Sequence, residues 1–133
     1  MKVVKIGIVE DETALFEIIK MSISMFNFEC ILLSSKDDIA GAIQEHGLKA
    51  LILDFMMPYK TGLDIAQELR NIETLKTFPL LMLTSRHLHD EEIILIKKLD
   101  VFYMKKPFVP HILTGKLTEL LSRHQKSELS TCD

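Results

Sequence analysis

Short apolar runs alternate with longer stretches of helical periodicity along the whole chain. The runs lie at residues 5–9, 28–33, 50–53, 78–83 and 101–104, and polar or turn-forming residues bound each of them. Runs of this length are typical of β-strands, and runs that are apolar throughout are typical of strands covered on both faces. The pattern therefore predicts five buried strands.

Helical spacing of apolar side chains marks the segments between and after the strands. The second of these segments begins with Ser35 and Asp38 in the register of a capping box and stops at Gly47. The third is expected at about residues 62–72, the fourth is DEEIILIKKL, and the last follows Pro110, which a first helical turn tolerates. In the first segment, helical spacing is kept by Leu15, Ile18, Ile19, Ser22 and Phe26. The inward positions of the third and last helices are predicted to be Leu63, Ala66, Leu69, Leu113, Leu117, Leu120 and Leu121.

The strict alternation of strands and helices determines the expected fold class. Alternating β and α elements form parallel sheets with right-handed crossovers and helices on both faces. The chain has 133 residues, of which 47% are hydrophobic and 26% are charged, as expected for one compact domain. We therefore predict an α/β domain over residues 1–122, a doubly wound three-layer sandwich, and a short polar tail at residues 123–133.

Charge and cysteine content restrict the classes of function. The net charge of −3 and the isoelectric point of about 5.9 give little electrostatic support to direct binding of nucleic acid. Cys30 and Cys132 lack metal-ligand spacing, so reduced thiols are expected. The N-terminal MKVVKIGIVEDE becomes acidic too early for a signal peptide, and no segment approaches the roughly 20 apolar residues that span a bilayer. A cytoplasmic location without membrane attachment is expected.

Polar side chains of different chemistry follow four of the predicted strands. Glu10 and Asp11 follow the first strand, Asp54 the third, Thr84 the fourth and Lys106 the fifth. The carboxyl ends of parallel strands form the usual ligand site of such a sheet. Carboxylates that meet there repel one another unless a cation compensates, and oxygen ligands suit Mg²⁺. With a lysine and a hydroxyl nearby, the set predicts a phosphoryl-transfer site in which a carboxylate can be the nucleophile.

Each of these signals also has an ordinary structural explanation. A lone Asp at a strand end often caps a helix or lies in a solvated turn, and acidic residues before a helix often compensate its dipole. The KKP sequence at residues 105–107 resembles many basic turns. The joint occurrence at the ends of four strands, in an order that a parallel sheet brings together, favours the functional interpretation.

Four motifs, taken together, resemble those of the CheY-like receiver domains of two-component response regulators. They are IGIVEDE, LILDFMMP with Gly62 four residues past Pro58, LMLTS and FYMKKPF, in that family's order and spacing over residues 5 to about 121. The resemblance implies a flavodoxin-like sheet of order 2-1-3-4-5 with five helices. It also implies that Asp54 accepts a phosphoryl group from a phosphohistidine on a sensor histidine kinase or a histidine phosphotransfer protein, in a phosphorelay.

The resemblance implies a metal site around the phosphoacceptor. Mg²⁺, with Mn²⁺ as a possible substitute, would be held by Asp11, Asp54 and the backbone carbonyl of Met56, while Glu10 would act through water. The chain would then be a self-phosphorylating signalling domain with no separate output enzyme of its own. Whether it is called an enzyme is left open.

The resemblance also implies a switch. Lys106 would bind a phosphoryl oxygen, with a cis peptide before Pro107, and Thr84 would hydrogen-bond the phosphoryl group. Tyr103 would change position as Thr84 moves, altering the face formed by the fourth helix, fifth strand and fifth helix. That face would bind an output partner or form a phosphorylation-dependent homodimer.

Two positions near the site predict a persistent phosphoryl group. Met56, two residues beyond Asp54, cannot orient an attacking water by hydrogen bonding. Arg86, two residues beyond Thr84, is in a position to cover the phosphoryl group. Slow hydrolysis is therefore expected.

Three further features leave alternatives open. Leu99 and Asp100 stand where the family often has a Gly-Ala pair, so the turn into the fifth strand is expected to be built differently. The four apolar residues 93–96 indicate either a helix packed in a crowded groove or an exposed apolar patch. His87 and His89 fit either a solvated loop or a metal site.

Other functions remain as alternatives to a phosphorylated receiver. A degenerate receiver would act as a phosphorylation-independent interaction module, and the intact Asp11, Asp54, Thr84 and Lys106 argue against it. A phosphatase with an aspartate nucleophile would need an acid where Met56 stands. A flavin-binding protein would need a phosphate loop in place of the acidic residues after the first strand. The chain is either a free-standing receiver or part of a longer response regulator.

Overall fold

A computed structural model describes residues 3–131, with side chains placed for residues 3–124. Within that range five parallel strands form one sheet in the order β2-β1-β3-β4-β5, which confirms the predicted topology. The strands are β1 (Val4–Val9), β2 (Phe28–Leu33), β3 (Ala50–Asp54), β4 (Leu80–Thr84) and β5 (Phe102–Lys105). The helices are α1 (Thr13–Ile23), α2 (Ile39–His46), α3 (Gly62–Arg70), α4 (Asp90–Lys98) and α5 (Pro110–Thr131).

The helices cover both faces of the sheet, as predicted for a three-layer sandwich. Helices α2, α3 and α4 pack on one face against Leu51 and Leu53, and helices α1 and α5 pack on the other against Ala50 and Ile52. Because successive residues of a strand point to opposite faces, β3 supplies both cores in alternation. Every residue of β3 and β4 is buried, and each fully buried Leu or Ile stabilises the fold by roughly 1.5–3 kcal/mol.

The buried face of α1 matches the helical spacing predicted for this segment only in part. Its buried residues are Phe16, Ile19, Ser22 and Ile23, of which Ile19 and Ser22 belong to the predicted set. Ile18 and Phe26, which also belong to that set, are 55% and 49% exposed. Ile18 precedes the buried Ile19, so its side chain is rotated about 100° around the helix axis from the direction of Ile19. Phe26 lies beyond the end of α1, in a short 3₁₀ turn.

The capping-box prediction for α2 is wrong. Asp38 is itself the N-cap, and its side chain accepts a hydrogen bond from the backbone N–H of Gly41 at 3.1 Å. Ser35 lies three residues before the cap and is buried against the loop that follows β1. The predicted end at Gly47 is confirmed, because that residue has a left-handed φ of 65°.

The last helix continues further than its apolar pattern. Leu113, Leu117 and Leu120 are buried as predicted and Leu121 is half-buried, but the helix runs to Thr131, into the segment predicted to be a tail. Cys132 lies outside the described residues. Over the part of the chain that the structure describes, no helix is long and apolar enough to cross a membrane.

The turn into β5 is built around the guanidinium of Arg70. Its Nε donates to the carbonyl of Leu99 at 2.7 Å, its Nη2 to the carbonyl of Asp100 at 3.1 Å and its Nη1 to that of Leu75 at 2.7 Å. Asp100 has a left-handed φ of 56°, which Asp tolerates better than most residues. An arginine from α3 thus holds the turn in which the family often has glycine and alanine.

Candidate functional site

Four of the predicted site residues lie at the carboxyl edge of the sheet. Asp54 ends β3, Thr84 ends β4, and Glu10 and Lys106 directly follow β1 and β5. The side chains of Glu10, Asp54 and Thr84 are buried. The backbone N–H of Lys106 donates to the carbonyl of Thr84 at 2.8 Å, so the sheet ladder extends to the site. Rigid strands therefore determine where these groups stand.

Asp54 and Lys106 form an ion pair. Lys106 Nζ lies 2.6 Å from Asp54 Oδ1, and both side chains are largely shielded from solvent. The peptide before Pro107 is cis, as the resemblance implied. A close pair of partly desolvated charges leaves the second carboxylate oxygen of Asp54 free of this lysine and neutralises much of the local negative charge.

Glu10 is a buried carboxyl whose charge is poorly compensated. Its Oε1 accepts a hydrogen bond from the backbone N–H of Glu12 at 3.0 Å, while Oε2 is buried and has no hydrogen-bond partner among the described residues. The pKa of Glu10 is raised to about 7, chiefly by burial and also by the neighbouring Asp54, while the hydrogen bond from the backbone of Glu12 and the charge of Lys106 lower it. Lys106 therefore compensates the charge of Glu10 only in part.

The residues fit a divalent cation such as Mg²⁺. Glu10 Oε2 is buried without a partner, and the carboxylate of Asp54 lies beside it. A bound cation would reduce the repulsion between the two carboxylates and the cost of burying their charge. Within residues 3–131 no three His, Cys, Asp or Glu side chains are grouped so that they could hold a metal by themselves. Mg²⁺ usually takes one or two carboxylates and completes its shell with water and phosphate oxygens.

Asp11 is exposed and its carboxylate faces the loop between β2 and α2. Ser35 donates from its hydroxyl to Asp11 Oδ2 at 2.7 Å and from its backbone N–H to Oδ1 at 3.2 Å. The hydroxyl of Ser34 lies 3.3 Å from Oδ1. The sequence motifs did not predict this contact. The pairing of β1 with β2 could have indicated it, because this pairing places the residues after Val9 beside those after Leu33.

The hydroxyl of Thr84 is engaged in the loop between β4 and α4. It donates to the carbonyl of Arg86 and accepts from the backbone N–H of Arg86, both at 3.1 Å. The guanidinium of Arg86 lies 4.7 Å from the ring centroid of Phe55 and pairs with Glu92 at 2.5 Å. Arg86 is thus held beside the residue that follows Asp54, by a partner on α4.

Met56, Tyr103 and the apolar run of α4 differ in exposure. Met56 is 57% exposed, and Tyr103 on β5 is 39% exposed. In α4, Ile96 is buried, Ile93 and Leu95 are partly buried, and Ile94 is 66% exposed, so the apolar run divides between the core and the surface. His87 and His89 are exposed.

We expect the metal-free protein to lose stability relative to Glu10→Gln as the pH rises. The pKa of Glu10 is about 7 in the folded protein, against an ordinary value of 4.5. The folded state therefore binds this proton more tightly, and the stabilisation is complete below pH 4.5 and is lost as the pH rises through 7. The relative loss should reach at most about 3 kcal/mol, measured by urea unfolding in EDTA. Parallel pH profiles for the two proteins would contradict it.

The chain is similar to known proteins over most of its length. The family model for the response regulator receiver domain matches residues 6–118. The phosphate regulon transcriptional regulatory protein PhoB of Pseudomonas aeruginosa is 28% identical over 116 residues, covering 87% of this chain and 51% of that protein. The chemotaxis protein CheY1 of Helicobacter pylori is 30% identical, covering 88% of this chain and 96% of that protein. The chain thus spans about half the length of PhoB and nearly all of CheY1.

A solved structure shows the same fold. The signal receiver domain of a putative Luxo repressor protein from Vibrio parahaemolyticus superposes with a TM-score of 0.82 and covers 98% of both chains, at 20% sequence identity. At 20% identity this likeness shows the fold alone.

Proposed function

Because this chain belongs to the response regulator receiver domain family, we propose that it takes a phosphoryl group from a partner phosphohistidine onto Asp54. The observation that supports this most directly is the 2.6 Å contact between Lys106 Nζ and Asp54 Oδ1, beside the carboxyl of Glu10, whose buried Oε2 has no hydrogen-bond partner among the described residues. The Asp54 carboxylate has one cationic partner, Lys106, and one acidic neighbour, Glu10. Such a site suits a reaction in which a phosphoryl group and a divalent metal bind together.

The proposed reaction uses Asp54 as the nucleophile. A carboxylate oxygen forms a bond to phosphorus, the bond from phosphorus to the donor imidazole nitrogen breaks, and that nitrogen takes up a proton from water. Lys106 binds a phosphoryl oxygen. Asp11, Asp54 and the backbone carbonyl of Met56 would hold Mg²⁺ or Mn²⁺, with Glu10 acting through water. The metal supplies positive charge to the phosphoryl oxygens.

The proposed switch starts at Thr84. Its two hydrogen bonds to the backbone of Arg86 are between neutral groups, whereas a phosphoryl oxygen offers a charge-assisted bond about twice as strong. Movement of Thr84 toward the phosphoryl group would leave space that the half-exposed Tyr103 can fill. The face of α4, β5 and α5, with the exposed Ile94, would then bind an output partner or a second copy.

Incubation of the full chain with Mg²⁺ and a small acyl phosphate tests the proposal. The intact mass should increase by one phosphoryl group, and the same incubation in EDTA should leave it unchanged. Hydroxylamine should reverse the increase, because it cleaves acyl phosphates and leaves phosphate esters intact. An unmodified wild-type chain under all conditions would favour the phosphorylation-independent interaction module instead.

We expect Met56→Asn to dephosphorylate faster than the wild type. The thioether of Met56 is a weak acceptor, while an amide can hold an attacking water by hydrogen bonds. Decay of the phosphorylated protein, followed by intact mass after removal of the donor, measures the effect. Met25→Asn is the matched control, since Met25 is 83% exposed in the 3₁₀ turn after α1, and it should decay like the wild type. Equal decay in all three proteins would show that Met56 does not set the lifetime.

A further inference from the structure

The loop between β2 and α2 holds Asp11 through both carboxylate oxygens. Ser35 donates from its hydroxyl to Oδ2 at 2.7 Å and from its backbone N–H to Oδ1 at 3.2 Å. Ser35 is only 1% exposed, whereas Asp11 is exposed. The donor is therefore fixed by burial, and it orders an acceptor that would otherwise sample several rotamers.

The position of Ser35 follows from strand pairing. Val9 is in register with Leu33, and the backbone N–H of Glu10 donates to the carbonyl of Leu33 at 3.0 Å. The chain segments that leave β1 and β2 therefore start side by side. Ser35 lies before the N-cap of α2, so its hydroxyl is not used to start that helix. Its one described side-chain hydrogen bond goes to Asp11.

The contact leaves Asp11 able to bind a metal. An ionised carboxylate has about four lone-pair sites. The two bonds from Ser35 occupy one on each oxygen and the longer bond from the Ser34 hydroxyl occupies the second on Oδ1, which leaves one on Oδ2. All three donors are neutral, so they orient the carboxylate without neutralising its charge. Hydrogen bonds of this kind commonly orient carboxylates that bind metals, and removing one typically weakens metal affinity about 10–100-fold.

We propose that Ser35 is a positioning residue whose hydroxyl orients the Asp11 carboxylate for binding a divalent cation. The inference rests on the proposed function, in which Asp11 is a metal ligand. A serine that only anchors the loop would affect folding and leave the metal affinity of the folded protein unchanged. The affinity for the metal alone, without a phosphoryl donor, therefore separates the two roles.

The experiment is calorimetric titration of the full chain with Mg²⁺ and, separately, with Mn²⁺. Ser35→Ala should raise the dissociation constant about tenfold or more. Ser24→Ala is the matched control, because Ser24 is exposed after the end of α1 and its hydroxyl contacts only the carbonyl of Met21 among the described residues, at 3.4 Å. It should bind like the wild type. In an Asp11→Asn background, Ser35→Ala should have no further effect.

Several results would overturn the inference. These are an unchanged dissociation constant in Ser35→Ala, tighter binding because the serine holds Asp11 away from the metal, or an equal loss with and without Asp11. If Ser35→Ala does not fold, Ser35→Cys keeps the shape of the side chain with a slightly larger atom, has a weaker donor and should also bind less tightly. A wild-type chain that binds neither metal would overturn the proposed function itself, whereas wild-type binding with an unaffected Ser35→Ala overturns this inference alone.

Discussion

Asp54→Asn is expected to accept no phosphoryl group under conditions in which the wild type is modified, while remaining folded. The amide nitrogen and oxygen of Asn are poor nucleophiles, so the step that forms the acyl phosphate is lost. The substitution removes the charge partner of Lys106 and also the repulsion between Asp54 and Glu10. Loss of the ion pair lowers the free energy of unfolding, and loss of the repulsion raises it. Intact mass measures the first expectation, and urea unfolding measures the second.

Asp90→Asn is the matched control for this prediction. Asp90 is an exposed aspartate at the start of α4, and its substitution should leave phosphoryl incorporation unchanged. Full incorporation in Asp54→Asn would mean that another carboxylate is the nucleophile, and Asp11 would be the first to examine because it is exposed.

Gly62→Ala is expected to lower the free energy of unfolding by about 1–3 kcal/mol and to slow phosphoryl transfer. A Cβ at residue 62 would lie 2.6 Å from the carbonyl oxygen of Asp54 and 3.2 Å from the Sδ of Met82. The first contact is to backbone, which cannot rotate away as a side chain can. The backbone N–H of Gly62 also donates to the carbonyl of Phe55 at 2.9 Å, so the clash would shift the end of β3 and the nucleophile with it.

Gly115→Ala provides the opposite case within the same protein. Apart from its chain neighbours and the backbone of its own helix, no atom lies within 4 Å of a Cβ built at Gly115, which is inside α5. The substitution should raise the free energy of unfolding by about 0.5–1 kcal/mol, because alanine loses less conformational entropy in a helix. Urea unfolding and the rate of mass increase, compared across both variants, test the pair. A Gly62→Ala protein as stable and as fast as Gly115→Ala would show that the close approach to Asp54 is unimportant.

Periodicity predicted the strands and the edge at which the candidate site lies, and the resemblance to receiver domains implied the order of the strands. Apolar runs without alternation mark strands that are buried on both faces, and the chain order of strands and helices restricts their connections. Residues that follow such strands must meet at one edge. The contact between Asp54 and Lys106 is the result, although 52 positions separate the two residues. This much depends on local periodicity and general rules of chain connection.

Contacts between loops were decided only by the tertiary structure. Ser35 was assigned to a helix cap, yet its hydroxyl binds Asp11, and Arg86 is held by Glu92 and Phe55. Ile18 fits the helical period and is nevertheless exposed. Periodicity identifies a helix but determines its rotation only to within about one residue, and hydroxyl or guanidinium groups can bind whichever partner folding brings near. The rotation of a helix and the partner of a polar side chain both depend on which distant segment packs against them. The residues adjacent in sequence therefore do not determine either one.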